Sequence, residues 1–311
     1  MVTFFDPRNF NDPVAYAIPV FLLLIAIEIF VIKKKMLDPY ETKDTVASLS
    51  LGIGSVVINL FTVSFYVGIY FWLYQFRIFK NLGPASLEEF TQFSWHTAHW
   101  WVWAMLVFAD DFTFYWHHRL SHEVRILWAA HINHHDSQKY NLGTALRQSW
   151  TELLYKFIWW MWMPLIGFHP LMIMTMMHLN LIYQFWIHTE AIGKMGIWES
   201  IFNTPSQHRV HHGSDVEYLD KNYAGIFNIW DRIFGSFQLE IKRPKYGITR
   251  NIDTHNPFKI TAHEWKNIWC DVKRAPTFRA KFHYIFNAPG WSHDGEDHRA
   301  STLQKKLKAG K

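Results

Sequence analysis

Three long apolar stretches, separated by short polar punctuation, set out the plan of the chain. Residues 15–32 form a nearly unbroken apolar run that only Glu28 interrupts, and Lys33, Lys34 and Lys35 follow at once. A run of that length suffices for a helix to cross a bilayer. A secretory leader carries its positive charge ahead of the apolar region. Here the charge comes after it, so the run predicts a retained helix whose C-terminal end lies in the cytoplasm. Residues 51–76, rich in Val, Ile, Phe and Tyr and closed by Arg77, return the chain to the outer face. Asn81, Gly83 and Pro84 mark a turn, and Ser86 to Glu89 mark a short helix start. Residues 95–116 predict a third span, with Trp95, Trp100, Trp101 and Trp103 at one end as an interfacial belt.

Two further apolar legs, residues 153–163 and 171–187, flank Pro164, Gly167 and Pro170, which predicts a helical hairpin that enters the membrane and returns. Polar residues dominate after Glu190. Thr204 and Pro205 predict a helix start, as cap and first-turn proline. Helix is expected again over residues 262–273, and the basic tail 305–311 is expected to be disordered. The pattern therefore predicts an all-α integral membrane protein. We expect a bundle of about four to five transmembrane or hairpin helices capped by a cytoplasmic helical domain. The expected units are residues 1–94 (spans and loop), 95–240 (the histidine-bearing domain) and 241–311 (the C-terminal cytoplasmic region).

Composition agrees with a membrane location. Half of the 311 residues are hydrophobic, 18% are aromatic and only 18% are charged. The net charge of +5 is accounted for by loops held near anionic headgroups, without nucleic acid. The single cysteine, Cys270, excludes internal disulfides, cysteine-ligated iron–sulfur clusters and thiolate zinc sites, and is expected to be a buried small residue.

Histidine spacing adds the chemistry. On a helix, Asp111, Tyr115, His118 and His122 fall on one face, whereas His117 lies about 100° away and is set aside. His131, His134 and His135 share a face at i, i+3 and i+4, and His208, His211 and His212 repeat that HxxHH spacing. The hairpin's return brings His188 to the same side, with Gln184 one turn earlier on its face. His178, about 15 Å further along, cannot share an ion with His188 and is expected to pack between helices. His118, His122, His131, His134, His135, His188, His208, His211 and His212 are too many ligands for one ion and suit two. Imidazoles suit Fe, Zn or Cu. The HExxH pattern of zinc hydrolases fails, because Ile126 stands where the second histidine belongs.

A carboxylate at the end of a span is costly without a partner, so Asp111 is a functional candidate, expected to accept an N–H from a ligand histidine and fix its tautomer. Arg147 and Lys221 are expected near a headgroup or an anionic substrate group. His255, His263, His283, His293 and His298 show no ligand spacing and are expected at the surface.

The stretches Tyr-Trp-His-His-Arg-Leu-Ser-His (115–122), Leu-Trp-Ala-Ala-His-Ile-Asn-His-His (127–135) and Gln-His-Arg-Val-His-His (207–212) resemble the fatty acid hydroxylase and sterol desaturase superfamily of membrane di-iron enzymes. The resemblance runs over residues 95–237. Segments such as 140–149, 183–190, 220–225 and 229–235 are most similar to its branch that cleaves glyceryl ether lipids. The resemblance implies two Fe, O2 as oxidant and hydroxylation of the carbon beside an ether oxygen. Electrons would come from tetrahydrobiopterin or from an external electron-transfer partner. It also implies a role for Glu123, which matches an acidic position beside the first histidine box. Gln184 stands where some members have another histidine, and could hold a bound water. Other oxidations of the same superfamily remain open: hydroxylation or desaturation of sterols, fatty acyl chains or carotenoids. So does a membrane metal carrier.

Overall fold

The computed structural model describes residues 13–35, 40–84 and 100–310. The helices are, in order, α1 (Pro13–Lys35), α2 (Thr42–Tyr74), α3 (Trp100–Glu123), α4 (Arg125–His135), α5 (Leu142–Ala145), α6 (Trp162–Ile166), α7 (Pro170–Trp186), α8 (Pro205–His211), α9 (Ile229–Ile233), α10 (Pro257–Arg274), α11 (Phe278–Phe286) and α12 (Ala300–Ala309). Among the described residues there is no β-strand beyond two isolated bridges, Phe202 with Phe227 and Gly213 with Tyr246.

Two of these helices, over Tyr16–Lys35 and Thr42–Tyr74, are long and apolar enough to cross a membrane. Their polarity is inverted relative to a soluble core helix. Leu22, Leu23, Ile27 and Phe30 of α1, and Ile53, Val56, Leu60, Phe61 and Phe65 of α2, point outward. Surface of that kind is stable against lipid and not against water. The opposite edge of α2 carries Ala47, Leu51, Tyr66 and Tyr70 into the protein. Gly52 and Gly54 lie where a Cβ would meet the Leu146 carbonyl and the Trp150 ring, so both are needed for the close approach of the segment after α5.

Glu28 is buried in α1 and binds the Tyr40 hydroxyl, the Thr189 hydroxyl and the Leu142 backbone N–H. A carboxylate at that depth is tolerable because all three partners donate to it. It thereby ties the first span to the loops on either side of the histidine helices.

Behind α2, a core of Tyr70, Val102, Leu106, Phe114, Trp160, Met163, Met172 and Ile173 joins α2, α3 and α7. The predicted reversal between residues 164 and 170 is present, but its first leg is not one helix. Glu152–Leu154 and Lys156–Trp160 are short 3-10 turns leading into α6. Gly167, at φ +136°, makes the reversal, and a side chain there would strike the Phe79 carbonyl. His169 caps α7 and Pro170 opens it. The expected helix start at residues 86–89, and Trp95 of the third span, lie outside the described residues.

Two further expectations are corrected. The basic tail is not disordered through residue 309: α12 is helical, and Gln304 holds it by donating to the carbonyls of Val216 and Leu219. Arg147 is not at a headgroup. It is 2% exposed and donates to the Asn133 carbonyl, Asp136, Asp44 and Ser48. A guanidinium so enclosed is matched by two carboxylates, which the sequence spacing gave no reason to pair. Cys270 is half-buried.

Candidate metal centre

The structure brings all nine predicted imidazoles together in two groups. His118, His122, His131, His135 and His211 form one, His134, His188, His208 and His212 the other, and within each group the donor atoms lie within 4.8 Å of one another. The groups share a wall: the rings of His135 and His212 stack at 4.3 Å. Helical spacing accounts for the assembly. Residues at i+3 and i+4 share a face, so α3 delivers His118 and His122, α4 delivers three histidines, and α8 with its C-terminal residue delivers three more. Thr204 precedes Pro205 at the start of α8, as predicted. His117 and His178 belong to neither group.

Hydrogen bonding fixes the protonation of these rings. The Nδ1 atoms of His118, His134, His188 and His211 face the backbone carbonyls of Tyr223, Arg147, Gln184 and Lys221 at 2.8, 3.2, 2.6 and 3.0 Å. A carbonyl can only accept, so each Nδ1 carries the hydrogen and each Nε2 presents a bare lone pair. His131 Nδ1 faces the Glu152 carboxylate at 3.4 Å, with the same consequence. Burial, reinforced by the neighbouring imidazoles, holds His118 and His134 well below the ordinary histidine value of 6.5; burial brings His188 to about 4 and His211 to about 3. These rings are neutral at physiological pH.

Yet His118 Nε2 lies 3.1 Å from His131 Nε2, and His134 Nε2 lies 3.1 Å from His188 Nε2. Lone pairs opposed at that distance repel unless a cation lies between them. In addition, the Nε2 atoms of His122, His211 and His212 are buried without a hydrogen-bond partner. The residues present therefore fit a metal ion in each group, and an all-imidazole donor set fits a borderline transition metal rather than magnesium or calcium.

The other site candidates are placed differently from expectation. Asp111 does not orient a histidine. It accepts from the backbone N–H groups of Ile226 and Phe227 and from Trp230 Nε1, at 2.6, 3.1 and 2.9 Å. It anchors the loop after α8, and Gly225 is needed there because a Cβ would crowd Asp111. The orienting acceptors are backbone carbonyls, which no side-chain pattern encodes. Gln184 turns its side chain to Asn180 and offers His188 only its carbonyl. Glu123 is paired with Arg119 at 2.9 Å, outside both groups. Lys221 contributes its carbonyl to His211.

Sequence reasoning missed three neighbours. Glu152 approaches His131, and its position as an acid opening an apolar leg was a usable signal. Asp220, at φ +55°, comes within 3.9 Å of His122 Nδ1. Tyr223 lays its ring against His118, His122 and His211, and its buried hydroxyl has no partner. Nothing in the spacing of these last two marks them.

Residues 101–236 match the family model for fatty acid hydroxylase. The chain is 40% identical over 285 residues to alkylglycerol monooxygenase of Homo sapiens, covering 90% of this chain and 60% of that protein. Alkylglycerol monooxygenase of Xenopus tropicalis is 36% identical over 291 residues, covering 93% and 62%. That of Danio rerio is 36% identical over 277 residues, covering 89% and 59%. The chain thus spans about three-fifths of the length of these relatives. No solved structure matches it.

Proposed function

We propose, on the premise that this chain carries a fatty acid hydroxylase domain, that it is a membrane di-iron monooxygenase acting on the ether bond of glyceryl ether lipids. The observation that carries the metal reading is the opposed lone-pair contact at 3.1 Å in each histidine group. The substrate class rests on the likeness to alkylglycerol monooxygenases along 90% of the chain.

His118, His122, His131, His135 and His211 would hold one iron, and His134, His188, His208 and His212 the other. When bound, the irons supply activation of O2 for insertion of one oxygen atom into a C–H bond. The chain's own residues do the rest. The carbonyls of Tyr223, Arg147, Gln184 and Lys221 hold four imidazoles in the tautomer that offers Nε2. Tyr140, Trp128 and Tyr223 pack against the rings and exclude water.

The overall reaction balances as R–CH2–O–R′ + O2 + 2 e⁻ + 2 H⁺ → R–CH(OH)–O–R′ + H2O. The hemiacetal then breaks its C–O bond to release an aldehyde and glycerol. The two electrons come from a tetrahydropterin or a protein donor. Glu123, ion-paired with Arg119 beside the five-histidine group, is the acidic residue we assign to the approach of that donor. We place α1 and α2 across the membrane within a multi-pass bundle, with the histidine centre on the cytoplasmic side next to Lys33, Lys34 and Lys35.

The test is elemental analysis of the detergent-purified protein, followed by incubation with a 1-O-alkylglycerol, O2 and a tetrahydropterin. About two irons per chain and release of the fatty aldehyde are expected. An iron-loaded protein that oxidises no alkylglycerol with either a pterin or a ferredoxin-type donor overturns the substrate reading. Metal lost completely on gentle dialysis favours a carrier.

A further inference from the structure

Beside the five-histidine group runs an apolar groove of about 380 Å³, lined by Ile126, Leu127, Tyr155, Ile158, Trp159 and Trp265. That volume lies within the range of small-ligand sites. Its outer end lies against the membrane-spanning part of the protein. Phe157, next to Ile158, rests on Tyr66 and Phe65 of α2 at ring distances of 6.1 and 6.0 Å, and Tyr70 donates to its carbonyl. Phe65 is on the outward face of that helix, and Ile158 itself is 56% exposed. The groove therefore opens where lipid lies.

The far wall belongs to α10, whose outer stripe supports the same orientation. Phe258, Lys266, Trp269 and Lys273 share one exposed face, with the Lys273 ammonium 4.6 Å from the Trp269 ring. Exposed aromatics interleaved with lysines are the pattern of a helix lying in a bilayer interface. Phe278, Phe282 and Phe286, at i, i+4 and i+8, extend that surface along α11.

Behind the Tyr155 and Trp159 walls of the groove, between them and the centre, stands His117. Its ring lies 5.7 Å from that of Trp159 and 6.4 Å from that of Tyr155. It is 1% exposed, and neither ring nitrogen has a hydrogen-bond partner. On its other side, Glu152 lies 3.7 Å from His117 and 3.4 Å from His131 of the metal centre. A dry imidazole with both nitrogens unsatisfied calls for a polar partner that arrives with a ligand.

We propose that this groove is the binding site for a single saturated alkyl chain drawn laterally from the bilayer, with the His117 N–H donating to the oxygen linkage at the head of that chain. The inference rests on the lipid monooxygenase reading and adds to it the route and the residues that hold the substrate. The chain's apolar surface is matched by six side chains, the polar head meets one imidazole, and the carbon beside the oxygen comes to rest next to the five-histidine group. His117 is then a binding residue rather than a ligand.

The experiment uses the full-length, iron-loaded protein in nanodiscs and a 1-O-alkylglycerol bearing a diazirine in its alkyl chain. Photolabelling is expected in the peptides holding Ile126 and Leu127, Ile158 and Trp159, or Trp265. Ile158→Trp narrows the mouth at an exposed position where the fold is not at stake. It should lower that labelling and raise KM about tenfold or more, with iron content unchanged. His117→Phe keeps the ring's volume and should raise KM for ethers similarly. Labelling that maps elsewhere while the wild-type protein still cleaves alkylglycerols overturns the groove and leaves the proposed function standing. Labelling of the groove without turnover of any lipid supports the groove and overturns the proposed function.

Discussion

Replacing Arg147 with Met separates two roles that make opposite demands on the assays. The guanidinium is enclosed by Asp136 at 2.6 Å, Asp44 at 3.3 Å, Ser48 at 3.2 Å and the Asn133 carbonyl at 2.9 Å. Methionine fills much of the same volume but leaves two buried carboxylates facing each other without a cation. Breaking a buried ion pair by removing one partner costs about 3–5 kcal/mol. For a large domain each kcal/mol moves the melting temperature by roughly 2–4 °C, so a fall of about 6–20 °C is expected. Intrinsic tryptophan fluorescence during a thermal ramp of the detergent-purified protein reads this directly. The fraction that remains folded should bind its lipid with unchanged KM, because no face of Arg147 reaches substrate. Arg147→Met combined with Asp136→Asn should recover part of the loss, since one stranded charge goes with the cation. A melting temperature within 2 °C of the parent, together with a raised KM for an anionic lipid, would refute the core role and return Arg147 to the headgroup.

Further outcomes follow from the same geometry. His118→Ala and His134→Ala each remove one side of an opposed lone-pair contact, in different groups. Each should lower iron by about one per chain and abolish turnover, as elemental analysis and product assay will tell; full iron in either variant removes that histidine from the ligand set. Asp220→Asn removes the charge of the carboxylate 3.9 Å from His122 Nδ1 and should lower metal affinity about 10–100-fold in chelator competition. Retention equal to the parent's would leave Asp220 a turn residue. Glu28→Ala strands three donors, at about 1–3 kcal/mol each, and should lower thermal stability more than Glu28→Gln. Equal stability of the two variants would mean that the carboxylate is dispensable.

The legible part of the sequence is what periodicity carries. Apolar runs place α1 and α2 because a bilayer demands unbroken apolar length, an apolar leg places α7 because Met172, Ile173, Met174 and Met176 enter the core, and HxxHH places three imidazoles on one face because a helix repeats every 3.6 residues. Eight of the nine histidines are thus recoverable from spacing, and His188 only through the return of the hairpin. What held them was not. The acceptors for His118, His134, His188 and His211 are main-chain carbonyls of Tyr223, Arg147, Gln184 and Lys221, and any residue type supplies a carbonyl. Asp111 looked like an orienting carboxylate because it shares the face of His118. The neighbouring loop, brought close by Gly225, captures it with two N–H groups and an indole. The first hairpin leg reads as helix by composition but runs as 3-10 turns, because it has to pass both α2 and the histidine helices within few residues. Long-range pairings such as Arg147 with Asp44 leave no local trace at all.

The connection between the spans and the centre runs through buried polar groups as well as through apolar packing of Phe21, Leu24 and Ile25 against Leu142 and Phe185. Glu28 sits in the first span, yet its partners are Tyr40 at the start of α2, Leu142 at the start of α5 and Thr189 beside His188. Arg147 joins α2, through Asp44 and Ser48, to Asp136 at the end of α4, and its own carbonyl orients His134. Both links end within one residue of the group formed by His134, His188, His208 and His212, or on a member of it. The five-histidine group is braced by α3 and α4 and by Tyr223 and Glu152, and its tie to the spans is to α2, against which the turn opening at Glu152 packs. The two groups therefore differ in what supports them: the four-histidine group is tied to both α1 and α2, the five-histidine group to α2 and to the histidine-bearing helices α3 and α4. Loosening α1 should act first on the former. The order in which the two metals are lost would then report the depth at which the fold has been disturbed.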